Sequence, residues 1–359
     1  AENNCLTLLE SGNVDYIIST SSRGRIPTKD SVKLRRKAVE RAIPCLTSMD
    51  TANALLNSLR SKFTKECTEL VNINDMRESR QKLRFLKMSG TKNDYIYFNC
   101  FDQQIDNPEG LAVMLSDRHL GIGGDGICLI YPSKIADASM VLINQDGTNG
   151  GISGNALRCI AKYLHDSGIA PRDIVTVEAE GLVRAVKLIK QYGEVTAATV
   201  EMGEVKLDPA VIPVELPGEK IINQPVKIGE NEYNITCVNV GNPHCVVFTD
   251  NVDRIDLEEI GPKFEHNKIF PERTNTEFVK VISPQKLKMR VWERGNGETW
   301  ACGTGACAAV VAAVENGYCS KDEEITVKLI GGELKIRYAG NTVTMTGDAS
   351  TIFEGTIEV

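Results

Sequence analysis

An approximate internal repeat constrains this chain more than any other feature. Residues 153–159 read SGNALRC, and residues 302–307 read CGTGAC. Each copy begins with a small nucleophilic residue, continues through a glycine-containing turn, and leads into a run that predicts a helix, over 156–165 and 306–316. A side chain just before a helix lies in the field of unpaired N–H groups, where negative charge is favoured. We therefore expect two similar halves whose helix starts face one substrate.

The two copies differ at their leading residue, which is Ser153 in one and Cys302 in the other. A pair of such sites suits a reaction that needs a proton donor and a proton acceptor on opposite faces of a carbon. A thiol can serve in both roles, because its pKa lies near neutrality and falls further at a helix N-terminus. A serine hydroxyl is far less acidic and is a poor base unless a neighbouring group activates it.

Composition excludes several classes of protein. The chain has 359 residues with a net charge of -7, and its only basic patch spans 33–41, so we expect no nucleic-acid partner. No apolar stretch approaches the roughly 20 residues that span a bilayer, and the first residues lack the pattern of a signal peptide. Eleven cysteines without a Cys-x-x-Cys pair favour a reducing cytoplasm. Four histidines without ligand spacing predict no metal site.

The order of predicted elements divides the chain into segments. Residues 1–61 alternate strand, helix, strand and helix, at 14–20, 30–42, 43–47 and 50–59, which is an α/β pattern. Residues 62–82 are charged and predict a linker. Residues 83–359 are strand-rich, and their two glycine-led helices indicate a pair of pseudo-symmetric α/β domains with a cleft between them. We assign 83–204 together with 347–359 to the first domain and 205–346 to the second.

Ten strands are predicted in this last segment, with predicted turns and helices between them. They lie at 85–88, 95–99, 127–131, 175–179, 197–202, 235–240, 245–249, 276–282, 286–292 and 325–329.

A series of short motifs resembles diaminopimelate epimerase over essentially all of 83–359. The matching stretches, in chain order, are KNDY at 92–95, DRHLGIG at 117–123, NQDG at 144–147, GNALRC at 154–159, MGE at 202–204, GNPH at 241–244, RTN at 273–275, ERGNGET at 293–299 and ACGTG at 301–305. Each motif alone is weakly specific, whereas the complete ordered set is highly specific. The resemblance implies two mixed sheets, each wrapped around a central helix.

The same resemblance implies an activity and its site residues. The family inverts an amino-acid α-carbon without pyridoxal phosphate or another cofactor, converting LL- to meso-diaminopimelate for lysine and cell-wall precursor synthesis. Cys302 would be one acid–base residue and Ser153 would occupy the position of the other. The reacting carboxylate would lie against Gly154, Asn155, Gly303 and Thr304, and the distal carboxylate and ammonium against Asn93, Asn144, Asn242, Asn275, Glu293 and Arg294. A homodimer is plausible for the family. His244 would lie near the site.

Ser153 departs from the family pattern, which has cysteine at this position. Three interpretations remain open from the sequence: a natural variant that works more slowly, an engineered substitution, or a protein that keeps ligand binding or one-sided proton exchange without inversion. An amino-acid racemase or dehydratase of altered specificity is a related alternative. Cys159 is not a simple replacement, because six residues along a helix correspond to about 9 Å and roughly 240° of rotation.

Residues 5–61 resemble a different family, the methylglyoxal-synthase-like domain at the C-terminal end of the carbamoyl-phosphate synthase large subunit. The resemblance rests on KD at 29–30, LRRKA at 34–38, IP at 43–44 and TA at 51–52. About the second half of such a domain is present, so it implies a partial Rossmann-like segment. Thr20, Arg23 and Arg25 would belong to a former phosphate site, which we expect to be incomplete.

One motif suggests a nucleotide-binding oxidoreductase instead. Residues 121–126 read GIGGDG and fit G-x-G-x-x-G. That motif binds a pyrophosphate only when a strand precedes it and a helix follows it. Here 117–120 predicts a helix and 127–131 predicts a strand, so the order is reversed and the alternative is disfavoured.

Overall fold

The computed structural model describes residues 5–10, 12, 14–19, 29–60 and 81–359. It divides into two compact units, Ala1–Arg80 and Gln81–Val359. Thr20, Arg23 and Arg25 and nearly all of the predicted linker lie outside the described residues.

The N-terminal unit alternates helices with two very short strands. Its elements are α1 (Cys5–Glu10), β1 (Ile17–Ile18), α2 (Lys29–Glu40), β2 (Cys45–Leu46) and α3 (Met49–Arg60). β1 and β2 pair in parallel, with Ile17 opposite Cys45. The order follows the predicted alternation, but the strand predicted over 14–20 is reduced to the two residues that pair with β2. The resemblance to a methylglyoxal-synthase-like domain stays a prediction.

The C-terminal unit is built from two series of strands, which we call the first half and the second half. The first half contains β3 (Lys82–Gly90), β4 (Asn93–Asn99), β5 (Gly126–Tyr131), β6 (Ala138–Asn144), β7 (Ile174–Ala179), β8 (Leu182–Gln191) and β9 (Glu194–Glu204), with helices α4 (Pro108–Ser116) and α5 (Gly154–Asp166). The second half contains β10 (Gln224–Ile228), β11 (Asn231–Asn239), β12 (Pro243–Phe248), β13 (Asn275–Ser283), β14 (Lys286–Glu293), β15 (Gly297–Thr299), β16 (Glu324–Lys328), β17 (Glu333–Ala339) and β18 (Thr342–Asp348), with helices α6 (Leu257–Glu265) and α7 (Gly303–Glu315). The last strand, β19 (Ser350–Glu358), pairs with β3 of the first half.

The two halves repeat the same strand pairings. β3 to β9 are joined by antiparallel, parallel, antiparallel, parallel, antiparallel and antiparallel pairings, and the same series joins β11, β12, β13, β14, β16, β17 and β18. The register is also repeated. Ile96 lies opposite Ile127 in the first half, and Cys245 lies opposite Thr276 in the second. Each residue number of the second pair exceeds its counterpart in the first pair by 149. The same number separates Ser153 from Cys302 (302 − 153).

The sheets of the two halves are continuous. β9 pairs antiparallel with β18 along most of its length, so the strands of the C-terminal unit form one 17-stranded mixed sheet. The predicted fold of mixed sheets wrapped around a central helix in each half is confirmed, with the difference that this pairing fuses them. α5 and α7 contribute to one shared core cluster. In α7 every residue from Gly305 to Ala313 is buried, and their small side chains allow the sheet to approach on all sides.

Residues 117–120 form a turn and not the helix predicted from the sequence. α4 ends at Ser116, and the Asp117 carboxylate accepts hydrogen bonds from the backbone N–H groups of His119 and Leu120. This local capping competes with helical hydrogen bonding. β5 begins at Gly126, immediately after the glycine-rich motif, so the motif precedes a strand as expected. In the described part of the chain, no helix has the length and apolar character needed to cross a membrane.

The starts of α5 and α7 pack against the same methionine, Met345 of β18. A Cβ atom added to Gly154 would lie 2.3 Å from Met345 Cε, and one added to Gly303 would lie 3.0 Å from Met345 Sδ. The same Gly303 Cβ would lie 3.8 Å from Asn155 Oδ1, so the two helix starts come close together. Glycine allows this close approach, because a side chain at either position would force the flexible end of Met345 to shift.

Replacing Gly154 by alanine should destabilise the protein by about 1–3 kcal/mol, because the added methyl group overpacks the contact with Met345. In a Met345→Ala background the same substitution should cost about 1 kcal/mol less, since the residues are in contact and their effects are not additive. Urea unfolding of the four proteins of the cycle measures both values. Equal penalties for Gly154→Ala in the two backgrounds would contradict the packing described here.

Candidate active site

Ser153 and Cys302 are the N-cap residues of α5 and α7 and have nearly the same geometry. Their backbones are extended, with φ −114° and ψ 118° at Ser153 and φ −116° and ψ 112° at Cys302. Ser153 Oγ accepts a hydrogen bond from the N–H of Ala156 at 3.3 Å. Cys302 Sγ accepts one from the N–H of Gly305 at 3.3 Å. The repeat in the sequence is therefore a repeat of a capped helix start.

Each helix start leaves backbone donors for a ligand. The first N–H groups of a helix have no acceptor within that helix, which applies to Gly154 and Asn155 in α5 and to Gly303 and Thr304 in α7. Their partial positive charge favours an anion. The two starts lie close together beside Met345.

Burial controls the protonation of Cys302, a residue that is only 6% exposed to solvent. Desolvation raises the pKa of the Cys302 thiol well above 9.0, and the negative charges of Glu293 and Glu277 raise it further. The hydroxyl of Thr304 and the N–H of Gly305 act in the opposite direction but are weaker. Cys302 therefore rests as a neutral thiol when the site is empty.

Ser153 has a less buried environment and lacks an activating partner. Within the described residues, the only hydrogen bond of Ser153 Oγ is the one that it accepts from Ala156. No carboxylate or imidazole of this part of the chain accepts its proton. A hydroxyl without such a partner keeps its proton, so Ser153 can donate a hydrogen bond but is a weak base.

Glu293, predicted to bind the distal ammonium, lies against the Cys302 thiol. The Thr299 hydroxyl donates to Glu293 Oε1. Burial raises the pKa of the Glu293 carboxyl, while the hydrogen bond from Thr299, the charge of His244 and the hydrogen bond from the Cys302 thiol all lower it. The negative charge of Glu293 therefore opposes ionisation of the Cys302 thiol, and the thiol donates a hydrogen bond to the carboxylate.

Hydrogen bonds between the Asn275 side chain and backbone groups hold Asn275 next to Arg294. Asn275 Oδ1 accepts a hydrogen bond from the Arg294 N–H at 2.9 Å, and Asn275 Nδ2 donates to the Pro243 carbonyl at 2.9 Å. The Arg294 guanidinium is partly exposed and uses Nη1 on the Glu272 carbonyl at 3.0 Å. Its remaining donors form the planar array that suits a carboxylate.

Asn93 and Asn155 belong to a hydrogen-bonded chain whose direction is fixed by its ends. Arg158, which is fully buried, donates from Nη2 to Asn155 Oδ1 at 2.9 Å. Asn155 Nδ2 then donates to Asn93 Oδ1 at 3.2 Å, and Asn93 Nδ2 donates to Asp125 Oδ2 at 2.7 Å. Because a guanidinium only donates and a carboxylate only accepts, each amide has one possible orientation.

Asn144 and Asn242 complete the predicted set. Asn144 ends β6, as Glu293 ends β14, and its Nδ2 donates to Thr148 Oγ1 at 3.1 Å. Asn242 Oδ1 lies 2.8 Å from His244 Nε2, and His244 Nδ1 lies 2.7 Å from Glu277 Oε1. Sequence reasoning missed Arg158, Asp125 and Glu277. The available signal for Glu277 was its position two residues after Asn275, which places both on the same face of a strand.

Among the described residues, no group of three or more His, Cys, Asp or Glu side chains is positioned to hold a metal ion.

Solved structures with the same fold include proteins named as a racemase and an epimerase. A probable proline racemase from Agrobacterium radiobacter superposes with a TM-score of 0.58 at 13% identity, covering 77% of this chain and 92% of the racemase. A hydroxyproline epimerase from Agrobacterium vitis gives a TM-score of 0.55 at 14% identity, covering 77% of this chain and 93% of the epimerase. At these identities the likeness shows the fold alone.

Sequence comparison identifies the family. The diaminopimelate epimerase of Desulfovibrio desulfuricans is 51% identical over 281 residues, which cover 76% of this chain and 97% of the relative. That of Acetivibrio thermocellus is 48% identical over 279 residues, covering 77% and 99%. The diaminopimelate epimerase family profile matches residues 85–207 and 236–352, which are the two halves of the C-terminal unit. The chain belongs to the diaminopimelate epimerase family, whose members are isomerases that work without pyridoxal phosphate.

Proposed function

We propose that this chain interconverts LL- and meso-diaminopimelate by proton transfer at one α-carbon, with Cys302 and Ser153 on opposite faces of that carbon. The observation that carries the proposal is the pair of N-cap residues with the same geometry at two helix starts that share Met345. The names of the relatives support this substrate.

In this proposal the backbone N–H groups at the two helix starts hold the reacting carboxylate. They stabilise the negative charge that develops when the α-proton leaves. Arg294 and the neighbouring amides bind the distal end of the substrate, which carries a carboxylate and an ammonium. In this proposal Glu293 contacts both the distal ammonium and the Cys302 thiol.

The two faces differ in their ability to remove a proton. On one face, Cys302 transfers its proton to Glu293 and the resulting thiolate takes the α-proton. On the other face, the Ser153 hydroxyl donates a proton to the carbanion and leaves an alkoxide that must be reprotonated by water. The second step is unfavourable, because the described structure provides Ser153 with no base or acid partner. We therefore expect proton exchange on the Cys302 face to be faster than inversion.

Incubation with each diaminopimelate isomer in deuterium oxide tests this proposal. The chain as given should incorporate deuterium at the α-carbon much faster than it forms the other isomer. Ser153→Cys should raise the rate of inversion by about 100-fold or more, since general acid–base groups contribute about 10²–10⁴-fold. NMR spectroscopy and chiral chromatography follow the two events separately.

A third protein, Ser153→Ala, serves as the matched control because it removes only the hydroxyl group. It should retain exchange and lose residual inversion. Equal inversion rates for Ser153→Ala and the unaltered chain would show that Ser153 takes no part. Absence of both exchange and inversion from the unaltered chain and from Ser153→Cys would overturn the proposed function.

The raised pKa of Cys302 predicts how its alkylation depends on pH. Because the pKa lies well above 9.0, the thiolate fraction should increase about tenfold per pH unit from pH 7 to 9 without reaching a plateau. Glu293→Gln should accelerate alkylation at pH 8, because the loss of a negative charge lowers the thiol pKa. The same substitution should decrease turnover, because it removes the group that accepts the Cys302 proton.

Peptide mapping by mass spectrometry after iodoacetamide treatment measures modification at Cys302 alone. Cys307 is the internal control, since it lies on the same helix, is fully buried, and has a pKa raised by burial to about 12. It should stay unmodified throughout. Full turnover after complete alkylation of Cys302, or slower alkylation in Glu293→Gln, would contradict the assigned role.

A further inference from the structure

A fully buried pair of ionisable side chains lies beside the site. His244 of β12 and Glu277 of β13 are both 0% exposed, and His244 Nδ1 is 2.7 Å from Glu277 Oε1. Glu277 Oε2 has no hydrogen-bond partner among the described residues. Burying charged groups is costly unless they are paired, so a pair in this position requires an explanation.

The fold itself does not require this pair. The equivalent positions in the first half, 149 residues earlier, are occupied by Tyr95 on β4 and Cys128 on β5. Both are buried, and their strands pair in the same register as β12 and β13. Two neutral side chains therefore satisfy the same backbone site, which indicates that the charges of the second half have a functional origin.

The pair determines which way the amide of Asn242 faces. The Glu277 carboxylate faces His244 Nδ1 and the Asn242 carbonyl oxygen faces His244 Nε2, so the imidazole of His244 has an acceptor at each nitrogen. Both of its nitrogens then donate, so Nε2–H donates to Asn242 Oδ1 at 2.8 Å. Asn242 Nδ2 has no hydrogen-bond partner among the described residues and remains available to a ligand.

The equivalent asparagine of the first half is held with the opposite polarity. Asn93 Nδ2 is engaged by Asp125, and its Oδ1 faces Asn155 and is the atom left to accept further hydrogen bonds. One half therefore presents an amide oxygen and the other presents an amide nitrogen. An oxygen accepts from an ammonium and a nitrogen donates to a carboxylate, so the two halves are suited to different groups of a zwitterion.

We propose that Glu277 and His244 are positioning residues that hold the Asn242 amide nitrogen toward the substrate and thereby give the second half its preference for the distal carboxylate. This inference rests on the proposed function, because it assumes that diaminopimelate occupies the site. Neither side chain needs to contact the substrate. The expected effect is selective. Substitution of the pair should not change the affinity for a ligand that lacks the distal carboxylate.

Two variants neutralise the pair in different ways. Glu277→Gln removes one charge with little change in shape. His244→Tyr combined with Glu277→Cys installs the two residues that the first half carries at the same backbone positions. In both proteins the hydrogen bond to Asn242 loses its fixed direction. Cys245→Ala is the control, because Cys245 is also buried and follows His244 on β12, where successive side chains point to opposite faces of the sheet.

Titration calorimetry with three ligands tests the inference. The ligands are diaminopimelate, 2-aminopimelate, which lacks one amino group, and L-lysine, which lacks one carboxylate. Both variants should bind diaminopimelate and 2-aminopimelate about tenfold more weakly and lysine with unchanged affinity. The rate of deuterium exchange at saturating diaminopimelate should change as well, because the charge of Glu277 raises the pKa of the Cys302 thiol, so the readout of positioning is the selective loss of affinity. Cys245→Ala should change none of these values.

The outcomes separate the inference from the function on which it rests. Equal weakening for lysine and diaminopimelate would indicate a general loss of structure and would overturn the inference. Unchanged binding of diaminopimelate in both variants would also overturn it while leaving the proposed function intact. Failure of the unaltered chain to bind diaminopimelate would overturn the proposed function and this inference with it.

Discussion

The antiparallel pairing of β9 with β18 is the contact on which the rest of the site depends. It joins the sheets of the two halves and places Met345 of β18 beneath the starts of α5 and α7. Two glycines at those starts allow the helices to approach it closely. Without this pairing, each half would keep its own capped helix, but the two N-cap side chains would have no common substrate position between them.

A repeated scaffold here carries different chemistry in its two halves. At equivalent positions, the second half has a more acidic or more basic side chain than the first: Glu293 against Asn144, Cys302 against Ser153, His244 against Tyr95, and Glu277 against Cys128. Because the two halves share their backbone register, we attribute these differences to ligand binding and proton transfer more than to folding. The two ends of the proposed substrate carry the same groups, but only one of its α-carbons reacts. The site must therefore bind the two ends differently.

The sequence predicted those parts of the structure that depend on local patterns. The two capped helices were predicted within a few residues, because a nucleophile, a glycine and an apolar periodic run occur together in each. α6 is harder to recognise, because Gly261 and Pro262 lie inside it and resemble turn signals. The short contact between His244 and Glu277 depends on the parallel register of β12 and β13, which the residues alone do not specify. Motif resemblance identified Asn242 and predicted His244 near the site, but it did not identify Glu277.

The most direct test of the central claim is an exchange of the two nucleophiles. If Ser153 and Cys302 lie on opposite faces of one α-carbon, each thiol should remove the α-proton of only one isomer. We would measure deuterium exchange into LL- and meso-diaminopimelate for the unaltered chain and for the double variant Ser153→Cys with Cys302→Ser. The account predicts that the two proteins exchange opposite isomers preferentially. Preference for the same isomer in both proteins would contradict it.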